Sequence, residues 1–299
     1  MTVIKEDKLE TVVDFIGTWI KEKLQEAGAA TAVVGLSGGA DSALVALICK
    51  SQGIPLVVVR MPCQSSQNSL DRAQELIDAF GMKSVTVVLD DAFYSIANQA
   101  VFLMSSWNWD DPATRPALGA LRSCLRAPTL DFVAKLTKGL IVGTGNRDED
   151  EKARYFQKRG DGAVDISPIA KLHKSEVYQL LKYLGCPQSI IEARPSADLW
   201  GPDSGQEDEK EMGLSYDEVE WGTQFLDKNS HVTFMTIFSE LTPRQLDVLK
   251  KLYAMDVATA HKAEMPPVCD VRDWLQDAFE DVYQTRWERD KQLSCCQDS

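Results

Sequence analysis

A short loop between an apolar run and a helical pattern carries residues suited to binding a triphosphate. The loop reads S-G-G-A-D-S at residues 37–42 and follows the apolar stretch TAVVGL. Glycines let backbone N–H groups approach an anion, and a helix that follows them offers the positive end of its dipole. Strand, glycine-rich turn and helix together form the context in which such a loop binds phosphate. The loop therefore predicts a phosphate site.

The aspartate in this loop indicates a metal ion as well. A Walker A loop has lysine and then serine or threonine after its glycines, whereas Asp41 and Ser42 occupy those places here. A carboxylate beside a triphosphate is repelled unless a divalent cation lies between them, and Mg²⁺ prefers one or two carboxylates plus phosphate oxygens. We interpret Asp41 as a Mg²⁺ ligand and expect cleavage at the α-phosphorus with pyrophosphate as leaving group. The alternative is a glycine-rich turn in which both residues only cap a helix.

A second block of charged residues follows another apolar run, GLIVGT. The block spans residues 143–174, and Glu149 within it could supply a second carboxylate to the metal. Its other charged side chains could neutralise phosphates or accept hydrogen bonds from ribose hydroxyls and amines. These side chains are Lys158, Arg159, Asp161, Asp165, Lys171 and Lys174. The alternative for its acidic run DEDEK is a solvated surface, but its position after a core strand favours a role in binding.

Alternating apolar runs and helical patterns predict the frame that positions both blocks. Strand-like runs are TAVVGL, PLVVVR (55–60), SVTVVL (84–89) and GLIVGT (139–144). Helical spacing occurs at 8–26, 41–51, 67–80, 93–104, 117–137 and 173–185. This alternation predicts an α/β fold with a parallel sheet covered by helices on both faces. Ligands bind beyond the carboxyl ends of such strands, so both blocks should meet there.

Three further segments complete the predicted organisation. Residues 105–116 interrupt the rhythm with two tryptophans, and we interpret them as a loop that either serves a subunit interface or packs on itself. Residues 200–213 are polar and acidic, which predicts a mobile loop. The part from about 214 to 290 has helical patterns. No linker divides the chain, so we expect one domain over 1–299 with its core sheet within about 30–200.

Composition limits the class of protein. The chain has 299 residues, 44% apolar content and a formal net charge of −13, which disfavours nucleic acid and anionic membranes as partners. The seven cysteines include no C-x-x-C pair, and their number is odd, so we expect reduced thiols. No run approaches the ~20 apolar residues of a membrane span. We expect a cytoplasmic protein.

The loop at residues 37–42 resembles that of the N-type ATP pyrophosphatases. The resemblance implies an adenine nucleotide α-hydrolase-like, Rossmann-like sheet. It also implies a reaction in which ATP adenylates a carbonyl or carboxyl oxygen before a nitrogen or sulfur nucleophile displaces AMP. The loop alone does not choose among NAD synthetases, GMP synthetases, argininosuccinate synthetases and tRNA-modifying thiolases.

The second block is similar to ammonia-dependent and glutamine-dependent NAD synthetases. Their pattern G-T-x-x-x-x-E, then Y/F-F-x-K-x-G-D-G-x-x-D-I-x-P-I/L and then K, is matched from Thr144 to Lys174. The similarity continues in RPSADL (194–199), LSYD (214–217) and the pair at 261 and 262. Matching motifs thus occur in family order over residues 35–267.

This resemblance implies a role for each matched residue. The ATP contacts would be Gly35, Leu36, Ser37, Gly38, Gly39, Ala40, Asp41, Ser42, Thr144, Lys174 and Ser196. Asp41 and Glu149 would hold Mg²⁺, and Ser37, Asp41 and Ser42 would stabilise the departing pyrophosphate. The deamido-NAD contacts would be Arg126, Lys158, Asp165, His261 and Lys262. Asp165 would either take a proton from ammonia or orient ammonium.

One departure from the family pattern concerns an arginine pair. The family often has A-R-x-R-M before the GLIVGT-like strand, and its first arginine contacts deamido-NAD. Here Arg126 matches the second arginine, and Cys124 occupies the place of the first. Arg122 lies nearby on the same predicted helix and could substitute, so both arginines remain candidates.

The implied activity is ATP-dependent amidation of deamido-NAD to NAD through an acyl adenylate, with AMP and pyrophosphate released. A glutamine-dependent version in one chain needs an amidase domain of on the order of 100 residues, so we expect free ammonia or a separate amidase subunit as nitrogen source. The family also implies a homodimer. Two rival hypotheses are a tRNA thiolase or lysidine-type synthetase, which the negative charge disfavours, and a nucleotide-binding sensor without turnover.

Overall fold

The protein is built around a parallel β-sheet. A computed structural model describes residues 3–100, 103, 108, 109, 111, 113–201, 206–229, 241–265 and 267. Within these residues the strands are β1 (Thr31–Gly35), β2 (Leu56–Arg60), β3 (Ser84–Thr86) and β4 (Gly139–Ile141). They form a 4-stranded sheet in the order β3-β2-β1-β4, and every neighbouring pair is parallel. The predicted α/β class and parallel sheet are confirmed.

Helices connect and cover these strands. The helices that flank the sheet are α1 (Leu9–Glu26), α2 (Ala40–Ser51), α3 (Gln67–Phe80), α4 (Asp90–Ala100), α5 (Arg115–Thr137), α6 (Lys174–Tyr183) and α7 (Gln188–Ile191). After β4 come a π-helical turn (Asp148–Ala153), α8 (Asp208–Met212), α9 (Tyr216–Lys228) and α10 (Pro243–Ala263). A 3₁₀ turn (Glu6–Lys8) precedes α1.

The strands are buried on both faces, as their continuous apolar runs predict. Successive side chains of a strand point to opposite faces. Ala32 and Val34 accordingly pack in the core formed with α1, α2, α3, α6 and α7, whereas Val33 packs in the core formed with α4 and α5. All three side chains are fully buried. Helices therefore cover the sheet on both sides and leave its carboxyl edge for the site.

A third apolar cluster joins the C-terminal helices to the π-helical turn. It contains Ala153 from that turn, Met212 from α8, Tyr216 and Val219 from α9, and Leu252 from α10. Helices α9 and α10 approach so closely at Gly222 that a Cβ there would lie 2.4 Å from a side-chain carbon of Leu252. The cluster places the first turn of α9 beside the residues that follow β4.

The structure corrects several predicted boundaries. Residues 200–213 are not a continuous loop, because α8 forms there and buries Met212; residues 202–205 lie outside the described part. β3 ends at Thr86, although the N–H groups of Val87 and Leu89 still donate to the Arg60 and Pro62 carbonyls. β4 ends at Ile141, although the Val142 N–H still donates to the Val33 carbonyl at 2.9 Å and Val142 also bridges to Ile166.

Other predictions fall on residues that the structure does not describe. Residues 105–107, 110 and 112 of the predicted loop at 105–116 are in this group, as is the C-terminal tail with its cysteines. Residues up to Ala263 form one compact unit, and of a second unit, Glu264–Ser299, only three residues are described. The single-domain expectation stays a prediction. In the described ranges, no helix has the length and apolar character needed to cross a membrane.

The two-sided core yields a stability prediction. Val177 on α6 is completely buried in the core that contains α2. Val177→Ala should lower the free energy of unfolding by about 1.5–3 kcal/mol, because lost methyl groups leave a cavity. Urea denaturation measures this change. Val257→Ala on α10, at a position 59% exposed, is the matched control, and an equal effect in both variants would contradict the packing.

Candidate active site

Both sequence blocks line one cavity of about 440 Å³ at the carboxyl edge of the sheet. The predicted site residues on its wall are Gly35, Leu36, Ser37, Gly39, Ala40, Asp41, Ser42, Arg126, Thr144, Glu149, Lys174, Ser196 and Lys262. Residues from β1, β2 and β4 approach the cavity at their carboxyl ends, as expected for a parallel sheet. The fold thus brings together segments more than a hundred residues apart.

The glycine loop has a conformation that its sequence requires. Gly38 has φ +83°, and a Cβ at that position would lie 2.1 Å from the carbonyl oxygen of Ser69 on α3. Only glycine fits there. The hydroxyls of Ser37 and Ser42 lie 3.0 Å apart, and the Ser42 hydroxyl donates to the Gly39 carbonyl. Helix α2 begins at Ala40 with Gly39 as its N-cap, so Asp41 is not a helix cap.

Two carboxylates converge on one cation beside this loop. The Lys174 ammonium lies 2.6 Å from Asp41 Oδ2 and 3.0 Å from Glu149 Oε1. Asn146 donates to the other Asp41 oxygen at 3.0 Å. Two carboxylate oxygens around one positive centre are the donor set that Mg²⁺ prefers. The residues present therefore fit a divalent cation held by Asp41 and Glu149.

Burial and mutual attraction set the charge states of these three groups. Burial raises the pKa of Asp41, against the effect of Lys174. Burial alone would also raise the pKa of Glu149, but Lys174 and a hydrogen bond from Tyr216 outweigh it, so that this pKa is lowered. The two carboxylates raise the pKa of Lys174 in spite of its burial. Lys174 therefore stays protonated and Glu149 ionised.

The helix start at Lys174 is fixed by its neighbours. His173 is the N-cap of α6, and its N–H donates to Glu176 Oε2 at 2.8 Å in a capping box. Asp148 accepts from the Lys174 N–H at 2.7 Å and lies 2.6 Å from His173 Nδ1. Asp148 directly precedes Glu149 in the π-helical turn. Its buried carboxylate therefore fixes the start of α6, which carries Lys174, relative to the turn that carries Glu149.

Arginines supply positive charge that the overall composition does not suggest. Arg60 at the end of β2, Arg72 on α3 and Arg126 on α5 line the cavity. Arg126 Nη2 lies 3.5 Å from Ser65 Oγ. Arg122 does not line the cavity: its guanidinium donates to the Leu199 carbonyl at 2.6 Å. Of the two candidate arginines, Arg126 is therefore the one that lines the cavity, whereas Arg122 binds the backbone at Leu199.

The predicted dinucleotide contacts are only partly brought together. Asp165 does not line the cavity, because its carboxylate accepts the Ile141 N–H at 2.8 Å and so ties down the end of β4. Asp161 lines the cavity instead. Lys158 donates to the His261 carbonyl at 2.6 Å, and neither residue reaches the cavity wall, which Lys262 does.

Two residues of the cavity wall, and one behind it, escaped prediction as site residues. Arg60 is the last residue of an apolar strand, and this position could have marked it as a site residue. Arg72 lies on an amphipathic helix, where its position gives no such signal. Tyr216 belongs to the LSYD segment and lies in contact with Glu149, with 2.7 Å between its hydroxyl and the carboxylate. No local pattern marks that contact, because it depends on how α9 packs.

The parallel sheet, its glycine loop and the paired carboxylates define a nucleotide-binding α/β protein of the ATP pyrophosphatase type. Residues 12–266 match the family model described as NAD synthase. The chain belongs to the NAD synthase family.

Known proteins resemble the chain over nearly its whole length. The NH(3)-dependent NAD(+) synthetase of Alkaliphilus metalliredigens is 36% identical over 266 residues, which cover 88% of this chain and 98% of that protein. The solved NMN synthetase of Francisella tularensis has a TM-score of 0.73 and 27% identity, with 88% of this chain and 98% of that chain covered. The solved NH3-dependent NAD synthetase of Campylobacter jejuni shares the fold, with a TM-score of 0.68 and 24% identity. That match covers 88% of this chain and 99% of that chain.

Asp208 lines the cavity and is buried, which predicts that the stability of the protein depends on pH. Burial, with a contribution from Glu149, raises the pKa of Asp208 to about 6. A carboxyl whose pKa is higher in the folded than in the unfolded state destabilises the fold once it ionises. This penalty is absent below about pH 4 and complete above pH 6, so Asp208→Asn should gain roughly 1–3 kcal/mol relative to the wild type between pH 4 and pH 8.

Urea denaturation at pH 4.5, 6 and 8 measures the difference in the free energy of unfolding. Asp217→Asn, at an exposed position on α9, is the matched control and should show no comparable gain. A difference for Asp208→Asn that does not grow with pH would contradict the expected direction.

Proposed function

We propose that this protein is an ammonia-dependent NAD synthetase. It amidates the nicotinate carboxylate of deamido-NAD, consumes ATP and ammonia, and releases NAD, AMP and pyrophosphate. The observation that carries the proposal is that the carboxylates of Asp41 and Glu149 converge on the Lys174 ammonium beside the glycine loop. Family membership and the names of the curated relatives support the same activity.

The side chains of the cavity suit the two steps of this reaction. The N–H groups of loop 37–42, Lys174 and the cavity arginines bind the phosphates and stabilise the charge that develops on pyrophosphate. Mg²⁺, bound by Asp41 and Glu149, would supply further neutralisation of that charge. A nicotinate oxygen attacks the α-phosphorus and pyrophosphate leaves. Ammonia then adds to the acyl carbonyl, loses a proton, and AMP leaves.

Substrate recognition is assigned to the positive groups at the other end of the cavity. Arg126 and Lys262 line it, and burial lowers the pKa of Lys262. We propose that both contact the anionic dinucleotide. Lys158, His261 and Asp165 would then act by supporting this wall, because they do not line the cavity. Lys158 donates to the His261 carbonyl, and the Asp165 carboxylate accepts the Ile141 N–H.

A mononucleotide substrate is a second candidate. Cys124 stands where the family pattern has the first arginine of its pair, and the NMN synthetase of Francisella tularensis is among the similar solved structures. A site with one arginine fewer for a second nucleotide would favour nicotinate mononucleotide. The ratio of kcat/KM for the two substrates, measured with saturating ATP and ammonium, decides between them.

Assembly, nitrogen source and location complete the proposal. We propose a homodimer, which the exposed apolar Phe132 on α5 supports. Free ammonia, or ammonia from a separate amidase subunit, would be the nitrogen source. Cys49, Cys63, Cys124 and Cys186 are unpaired, which supports reduced thiols and a cytoplasmic location.

A product assay tests the proposed reaction. Protein, ATP, Mg²⁺, ammonium and deamido-NAD should yield AMP and NAD in equal amounts, separated by chromatography, together with pyrophosphate. Glutamine in place of ammonium should give little product. ADP with orthophosphate as products, or AMP formation only with tRNA, would overturn the proposal; absence of any turnover would favour a nucleotide sensor.

Removing the first metal carboxylate should abolish this turnover. Asp41→Asn keeps the side-chain shape but lowers the charge that holds a cation at the phosphates, so kcat/KM should fall by roughly 10²- to 10³-fold or more. Asp91→Asn, at an exposed position on α4, is the matched control and should behave as wild type. Circular dichroism should show both variants folded, and full activity in Asp41→Asn would refute the metal assignment.

A further inference from the structure

The start of helix α9 is fixed more firmly than packing alone requires. The Ser215 hydroxyl accepts the Glu218 N–H at 3.2 Å, and Glu218 Oε2 accepts the Ser215 N–H at 3.0 Å. The Tyr216 N–H donates to Glu209 Oε1 at 2.8 Å. These hydrogen bonds hold the backbone of Tyr216 from the helix side and from α8, so its side chain leaves α9 in a defined direction.

The Tyr216 side chain contacts Glu149, one of the two proposed metal ligands, and Lys174, whose ammonium binds both of these carboxylates. The Tyr216 hydroxyl lies 2.7 Å from Glu149 Oε1, and the Lys174 ammonium lies 4.7 Å from the centre of the Tyr216 ring. Tyr216 is only 7% exposed. The terminal torsion of a glutamate is broad, so the hydroxyl selects one orientation of the Glu149 carboxylate.

The same hydroxyl connects Glu149 to the opposite wall of the cavity. Asp208 Oδ2 lies 3.3 Å from the hydroxyl, and Asp208 Oδ1 accepts the Ala197 N–H at 2.8 Å. The Asp208 N–H donates to the Pro195 carbonyl at 3.1 Å. A tyrosine hydroxyl has one hydrogen, and the shorter contact, to Glu149, takes it. Asp208 therefore places the wall at 195–198 next to the hydroxyl that binds the proposed metal carboxylate.

We propose that Tyr216 is a positioning residue of this active site. Its hydroxyl orients Glu149 so that the carboxylate shares a cation with Asp41, and through Asp208 it makes that orientation depend on the position of the wall at 195–198. Ser196 belongs to this wall and lines the cavity. The inference rests on the proposed function, since it assigns the purpose of the contact to binding of a metal–nucleotide complex.

Tyr216→Phe tests the role of the hydroxyl, because the ring and its contact with Lys174 remain. The Kd for Mn²⁺ in the presence of α,β-methylene ATP, followed by electron paramagnetic resonance, should rise about tenfold or more, as found when groups that orient metal ligands are removed. The KM for the ATP complex should rise with it. A hydroxyl with only a packing role would leave the Mn²⁺ Kd within twofold, and that result would overturn the proposal.

Tyr183→Phe is the matched control, because Tyr183 ends α6 at a position 45% exposed. It should bind Mn²⁺ as the wild type does, and an equal loss in this variant would overturn the assignment to Tyr216. Urea denaturation establishes that both variants are folded. The Mn²⁺ measurement involves no turnover, so a wild type that makes no NAD would refute the proposed function without deciding the role of Tyr216.

Asp208→Ala tests the connection to the wall while it keeps the bond between Tyr216 and Glu149. Loss of the Oδ2 contact with the Tyr216 hydroxyl and of the hydrogen bond from the Ala197 N–H should weaken binding of the ATP analogue about fivefold. This variant also gives an independent reading should Tyr216→Phe fail to fold. Unchanged affinity of Asp208→Ala for the analogue would overturn the proposed link between the wall and Glu149.

Discussion

One buried ammonium holds the site together. Lys174 is 5% exposed and contacts carboxylates from the start of α2 and from the turn after β4. Burying two acids so close together would cost several kcal/mol without a cation between them. The arrangement therefore depends on Lys174 being at the first position of α6, which Asp148 and the capping box enforce. The same geometry that stabilises the fold also defines where a divalent cation with oxygen ligands would bind.

The cavity carries several positive side chains although the chain as a whole is acidic. The net charge is −13, yet Arg60, Arg72, Arg126 and Lys262 all line the cavity. Fields inside a cleft with low-dielectric walls are set by the nearest groups, so an acidic protein can bind anionic nucleotides.

The C-terminal helices complete the site rather than merely extend the chain. Helices α9 and α10 pack on the π-helical turn through the apolar cluster around Leu252. This contact brings Tyr216 to the carboxylate that follows β4. Asp208 holds the segment at 195–198 through the Ala197 N–H, and its other oxygen lies beside the Tyr216 hydroxyl. The cavity wall at 195–198 and the proposed metal ligand Glu149 therefore meet at this hydroxyl.

The sequence by itself determined the sheet, the glycine loop and the two conspicuous acids. Continuous apolar runs predict buried parallel strands, Gly38 occupies a conformation only glycine adopts, and Asp41 in place of lysine indicates a metal. These signals are local, so a single chain suffices to read them. Only the tertiary structure placed Arg126 rather than Arg122, and Asp161 rather than Asp165, on the cavity wall, and brought Tyr216 to Glu149. Those outcomes depend on contacts between residues more than 20 positions apart. Neighbouring residue types carry no signal for them, because the same side chain can bind the backbone or line a cavity.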